Sequence, residues 1–229
     1  MKCILFIVFF MAGFLSVSAQ TYNEWIDKSF ECIESEDWTG AEKALIGALR
    51  VQPANPQNAL LLSNLGTIQR KMGKNDEALK SYTNALMITP RSVTLLMNRA
   101  ALFSEMEKFD DALKDYNQVL MLDDKEEDAL YLRGLIRLEK NDTTACRKDF
   151  EQLLKINPKS SNARIGLAAL MKLRGYYTEA IDLYTQVIRV NPEQTSLYLN
   201  RGEAYLLNRR LNKADEDVAK ALELDPKDP

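Results

Sequence analysis

Apolar and small residues return along this chain at an interval of thirty-four, with units that begin at Ala59, Val93, Glu127, Ser161 and Thr195. An earlier unit begins at Tyr22, and the stretch Pro53-Ala54-Asn55-Pro56 lengthens the spacing to the next by three residues. Read in columns, position eight of each unit holds Ser29, Gly66, Ala100, Gly134, Ala168 and Gly202, small residues that let two helices approach closely. Position twenty holds Ala41, Ala78, Ala112, Cys146, Ala180 and Ala214, and position thirty holds Val51, Ile88, Leu122, Ile156, Val190 and Leu224; both columns read as core. The punctuation predicts a helix, a turn and a second helix in every unit. Thr39, Asp76, Asp110, Thr144, Thr178 and Asn212 at position eighteen are expected to cap the second helix through their side-chain oxygens. Pro53, Pro90, Pro158, Pro192 and Pro226 then follow it, where a residue without an amide hydrogen cannot continue a helix; the third unit has Asp124 instead.

These columns resemble the tetratricopeptide repeat family, whose pattern has a bulky residue at four, small ones at eight, alanine at twenty, an aromatic at twenty-four and proline at thirty-two. The second unit shows it best, with Leu62, Leu65, Gly66, Ala78, Tyr82, Ala85 and Pro90. Arg164 at four, Cys146 at twenty and Val218 at twenty-four depart from the pattern and bear on local packing. The resemblance covers residues 22 to 228 and implies an all-α, right-handed superhelical solenoid of six tandem helix-turn-helix repeats. Their expected bounds are 22–55, 59–92, 93–126, 127–160, 161–194 and 195–228, within a domain of residues 20–229.

A solenoid hides one side of each repeat on its neighbour, so the terminal repeats have to tolerate water. Positions three and ten are expected to face the preceding repeat. They are apolar in repeats two to six (Leu61, Ile68, Leu95, Leu102, Ala129, Ile136, Ala163, Leu170, Leu197, Ala204) and become Glu24 and Glu31 in the first. At the far end Asp215 replaces the Leu79, Leu113 and Ile181 of inner repeats, and Val218, Leu222 and Leu224 are left partly exposed or met by a partner.

The resemblance further implies a concave groove lined by positions two, five, six, nine, twelve and thirteen of the first helices. On those positions stand the candidate ligand-binding residues Asn64, Thr67, Lys71, Asn98, Tyr131, Leu135, Leu138, Ile165, Asn200 and Glu203. Asn64, Asn98 and Asn200 share position six, where a carboxamide can both donate to and accept from an extended backbone. Tyr131, Leu135 and Leu138 suggest an apolar pocket for an anchor side chain, although apolar residues at helical spacing are more often core. One known use of the family, the grip on a C-terminal carboxylate, takes a set of five residues from three consecutive repeats. From the first repeat those positions hold Ile26, Phe30, Asn64, Thr94 and Asn98, of which only Asn64 matches.

Composition narrows the chemistry. The chain has 229 residues, a net charge of −3 and no histidine, which removes the commonest general base and the commonest metal ligand. Balanced charge argues against nucleic acid as partner. The run Asp123-Asp124-Lys125-Glu126-Glu127-Asp128 spans a turn before a helix, where carboxylates suit the dipole without any cation. Arg70-Lys71 with Lys74, and Arg209-Arg210 with Lys213, read as solvated clusters at turns. Met1 and Lys2, an apolar run from Ile4 to Leu15 and small residues before Gln20 predict a signal peptide over residues 1–19, cut after Ala19 or retained as an anchor. Its loss removes Lys2 and leaves −3 − 1 = −4. Cys32 and Cys146 are expected to be free, buried thiols, too far apart to bridge. The expectation is an exported, periplasmic or secreted, non-catalytic module without cofactor or metal. It would bind a protein or peptide in its groove and would not stay inserted in a membrane once the signal is removed. The alternative is a scaffold that self-associates as a homo-oligomer.

Overall fold

A computed structural model describes residues 20–226; the signal segment expected over residues 1–19 lies outside them. The described residues form twelve α-helices. The first three repeats supply α1 (Tyr22–Glu34), α2 (Trp38–Val51), α3 (Asn58–Lys71), α4 (Asn75–Ile88), α5 (Val93–Glu105) and α6 (Phe109–Leu122). The last three supply α7 (Glu127–Glu139), α8 (Thr143–Ile156), α9 (Ser161–Leu173), α10 (Tyr177–Val190), α11 (Thr195–Leu207) and α12 (Leu211–Leu224). Each helix packs on the next along the chain, most closely inside the pairs that form one repeat, and the pairs stack as a superhelix. The first helices of the six pairs begin at Tyr22, Asn58, Val93, Glu127, Ser161 and Thr195, so that α3 starts one residue before Ala59.

Local chemistry explains where the helices start and stop. Thr21 and Glu24 close a capping box at α1: the Thr21 amide donates to Glu24 Oε2 at 2.7 Å and the Glu24 amide to Thr21 Oγ1 at 3.3 Å. Ser92 and Ser160 supply half of that arrangement at α5 and α9, their hydroxyls accepting from the Leu95 and Ala163 amides. The expected caps at position eighteen are wrong by two residues. The capping residue of each second helix is at position sixteen, and only Asp37 and Asp142 accept an amide there with their side chains. Asp76 and Asp110 instead lie in the first turn, where their charge still favours the helix N-terminus.

The turn between paired helices has one conformation in all six repeats. Position fifteen is left-handed in each: Glu36, Gly73, Glu107, Asn141, Gly175 and Arg209 have φ between 56° and 80°. The following amide then bonds five residues back, as Asp37 N does to Cys32 O at 2.8 Å and Lys74 N to Gln69 O at 2.8 Å. This turn folds the second helix back onto the first.

The packing follows most of the predicted columns. Positions three, eight, ten and twenty are buried in repeats two to six, while Glu24 and Glu31 of the first repeat face water. Position thirty is not core. Val190 there is 72% exposed, Val51 and Ile88 are exposed, and the others are only half-buried. The physical reason is angular: at about 100° per residue, positions twenty, twenty-four and twenty-seven share one stripe, whereas thirty falls roughly 80° away. Position twenty-seven carries the burial instead, through Ala48, Ala85, Val119, Leu153, Val187 and Ala221. Cys32 and Cys146 are both free, but Cys32 is half-buried, not fully enclosed. At the C-terminal end Leu211, Val218 and Leu222 are exposed. No helix among the described residues is long and apolar enough to cross a membrane.

Among the described residues one buried side-chain group is unsatisfied. The hydroxyl of Tyr116 has no hydrogen-bond partner, and the neighbouring Ser104 hydroxyl donates to Ala100 O at 2.9 Å. In the second repeat the equivalent Tyr82 hydroxyl shares a hydrogen bond of 3.0 Å with Thr67 at position nine, where the third repeat has Ala101. Ala101→Thr is expected to supply the missing partner and raise unfolding free energy by about 1 kcal/mol, read from urea denaturation.

Candidate functional site

The frame of the groove is held by ion pairs that recur with the repeat. Position seven of repeats three, four and six is arginine and position twenty-three is aspartate. Arg99 grips Asp115 at 2.7 and 2.8 Å, Arg133 grips Asp149 at 3.2 and 2.6 Å, and Arg201 grips Asp217 at 2.8 and 2.6 Å. The third guanidinium nitrogen reaches the preceding repeat, donating to Thr83, Asn117 and Thr185 respectively. Each arginine thus ties its own two helices together and to the repeat before. Arg137 adds a second cation on Asp149 at 2.6 Å.

On this frame the first helices of the pairs present positions six, nine, twelve and thirteen to two clefts. The N-terminal cleft, of 360 Å³, lies between α1 and α3 and is lined by Phe30, Ile33, Trp38, Asn64, Thr67, Ile68 and Lys71. The Lys71 ammonium stands 4.4 Å from the centre of the Trp38 ring and has no anionic partner among the described residues. Thr67 is committed: it donates to Ser63 O at 3.0 Å and meets the Tyr82 hydroxyl. Asn64, like Asn98 on α5, is half-buried and its carboxamide bonds to no described residue. The C-terminal cleft, of 460 Å³, runs across α7, α9 and α11, with Leu138, Ala169, Leu173 and Leu207 as its apolar wall. Lys172 bonds Glu203 at 2.5 Å across its floor, and Glu139 at its edge has no cationic partner among the described residues.

The ten candidate residues therefore separate. Asn64, Thr67 and Lys71 share one cleft, Leu138 and Glu203 share the other, and Asn98 stands between them with its amide open. Asn200 differs from its two counterparts, because its amide donates back to Ser196 O at 2.8 Å. Tyr131 and Leu135 are half-buried against the core around Phe150, the tyrosine ring 6.3 Å from it, and Ile165 packs on the core around Tyr184. Burial pushes the Tyr131 phenol above its ordinary pKa. It pushes that of Tyr184 up to about 12, with the Glu203 charge and Tyr131 adding to the rise. Leu138 packs on the Phe150 core as well and also lines the C-terminal cleft. Trp38 has no groove column to mark it because it opens the second helix, whereas Ile33 occupies groove position twelve of the first repeat. Among the described residues no cluster of acidic or cysteine side chains is placed to hold a metal ion, and Asp123 spends its carboxylate on the Lys125 amide at 2.9 Å.

The fold defines an all-helical repeat protein of six stacked helix pairs. Models of the tetratricopeptide repeat match residues 61–94, 128–160 and 168–229. A tetratricopeptide repeat protein from Parabacteroides merdae ATCC 43184 is 38% identical, with a TM-score of 0.85 over 91% of this chain and 80% of that one. The chain belongs to the tetratricopeptide repeat family. More distant structures share the fold. Pseudomonas aeruginosa pilF is 16% identical, with a TM-score of 0.70 over 90% of this chain and 93% of its own. YrrB is 19% identical, with a TM-score of 0.60 over 82% of this chain and 95% of its own. No curated protein matches the sequence significantly. Tetratricopeptide repeat proteins are non-catalytic modules that bind proteins or peptides.

Proposed function

We propose that this chain holds an extended segment of a partner protein in the groove of its first helices, as part of an exported envelope or secreted complex. The observation that carries the reading is the row of open polar groups on the N-terminal half. Asn64 and Asn98 offer unengaged carboxamides one repeat apart, and Lys71 with Trp38 borders a cleft between them and the first repeat. An amide that is half-buried and unbonded satisfies a passing backbone without demanding a side chain. YrrB, described as having an unusual peptide-binding site, supports the same use of the fold. Export rests on the apolar run from Ile4 to Leu15 and the small residues ahead of Gln20.

A photo-crosslinking residue placed at Asn64 or Asn98 in living cells is expected to trap one partner, and the same residue at Lys80, exposed on α4, to trap none. Equal capture from the two faces would overturn the groove. A second reading, self-association into a scaffold, is favoured by the exposed Leu211, Val218 and Leu222 on the last repeat. Under it, light scattering should show mass rising with concentration, and Leu222→Glu should abolish the rise.

A further inference from the structure

The two clefts are lined largely by the same positions of successive first helices, and their uncompensated charges are opposite. In the first, Arg70 is neutralised by Glu105 and Lys74 by Glu42, which leaves Lys71 as the uncompensated charge beside Phe30, Ile33 and Trp38. In the second, Lys172 and Glu203 cancel, which leaves Glu139 beside Leu138, Leu173 and Leu207. Between them the groove positions of α5 are small or already paired: Ala101, Ser104 bonded to Ala100 O, and Glu105 bonded to Arg70. That stretch offers a shelf with the open Asn98 amide and no pocket of its own. The clefts are about three and a half repeats apart, and helices packed at roughly 8–10 Å put them about 30 Å from each other. An extended chain at about 3.3 Å per residue crosses that distance in roughly ten residues.

The geometry points to a polarised groove that takes an extended partner segment of about ten residues. An apolar residue with an acidic neighbour occupies the Trp38–Lys71 cleft, and an apolar residue with a basic neighbour occupies the Leu173–Glu139 cleft. This deepens the groove reading and rests on it. Charge complementarity sets which end of the segment goes where, and the apolar walls supply the anchorage. Lys71 already lies over an aromatic face, so its ammonium is held where an incoming carboxylate meets it without first ordering a flexible side chain. Because both charges are at the rim of open clefts, their contribution is of the size of an exposed ion pair and fades with salt.

The test uses the full chain and three fluorescein-labelled ten-residue peptides, read by anisotropy. One carries Leu-Glu at one end and Leu-Lys at the other across a Ser-Gly spacer, the second has glutamine for the glutamate, and the third has glutamine for the lysine. Each is made in both chain directions. The charged peptide is expected to bind about fivefold more tightly than either neutralised one at low salt. Lys71→Gln should weaken the charged peptide by that factor and leave the glutamine-for-glutamate peptide unchanged. Glu139→Gln should do the same at the basic end. Equal affinity for all peptides, or variants that weaken every peptide alike, would overturn the polarity while the groove stands. Failure of all peptides to bind overturns the stated segment chemistry, and the Asn64 and Asn98 crosslinks then decide the groove separately.

Discussion

Phe150→Ala is expected to lower the stability of the chain by about 3–5 kcal/mol and to split its unfolding into two steps. The ring is fully buried at position twenty-four of the fourth repeat and occupies a crevice that two glycines open. A Cβ at Gly134, on α7 of the same repeat, would stand 2.5 Å from Phe150 Cε1, and so would one at Gly166, on α9 of the next. With no side chain at either glycine, the two helix faces that border the ring have nothing to move into the vacated space, so much of the cavity persists. The same ring touches Cys146 and Leu170 and joins the fourth repeat to the fifth. Stability in a stack of repeats is a sum of repeat and interface terms, and a weakened interior interface lets the two sides melt separately. Circular dichroism during urea titration should therefore show both a lower midpoint and a shallower transition. A reversal of sign makes the account specific. Gly166→Ala in the native chain forces the ring aside, which costs about 1–3 kcal/mol and outweighs the roughly 1 kcal/mol that alanine gains in a helix. In the Phe150→Ala background the same methyl fills part of the hole and should stabilise. If Gly166→Ala acts the same way in both backgrounds, the ring is not what excludes it.

The architecture was legible in the chain because packing repeats with the period. Small residues at eight and twenty and apolar ones at three and ten recur in register, and each column follows from a helix that must touch two neighbours. What escaped had no column to betray it. The left-handed residue at fifteen is glycine in only two repeats; Glu36, Glu107, Asn141 and Arg209 accept the strained φ because the surrounding turn bonds over-determine it. Position thirty misled for the opposite reason, since it is apolar in every repeat yet lies past the stripe that faces the core. The groove was half legible. Position numbers located Asn64, Asn98 and Lys71, but they could not distinguish an open amide from one that bonds its own helix, as Asn200 does. Nor could they tell that Tyr131, Leu135 and Leu138 all pack on the core around Phe150, with Leu138 also lining the cleft. Such choices depend on how far one repeat is rotated on the next, which a spacing of thirty-four does not record.

The recurring arginine–aspartate pair poses the second large effect. Asp115 is buried, its side chain 4% exposed, and Arg99 holds both of its oxygens. Asp115→Ala strands the guanidinium between α5 and α6, with the Thr83 hydroxyl and the Phe103 ring beside it but no anion, and should destabilise by about 3–5 kcal/mol. The pair itself need not be worth that much, because two charges taken out of water lose hydration that their attraction only partly restores. The chain carries its own control: repeat five has Leu167 at position seven and Leu183 at twenty-three, apolar residues at both positions, and its helices stack as the others do. Arg99→Leu combined with Asp115→Leu is therefore expected to fall within about 1 kcal/mol of the native chain, far from the sum of the single losses. Thermal denaturation of the two single variants and the double variant closes the cycle. Additive losses would mean that the ion pair contributes stability an apolar pair cannot replace. Recovery in the double variant would instead place its value in selection of register, since a guanidinium that must find Asp115 and Thr83 together admits one rotation of the third repeat on the second. That rotation is the one that brings Asn64 and Asn98 onto a common face.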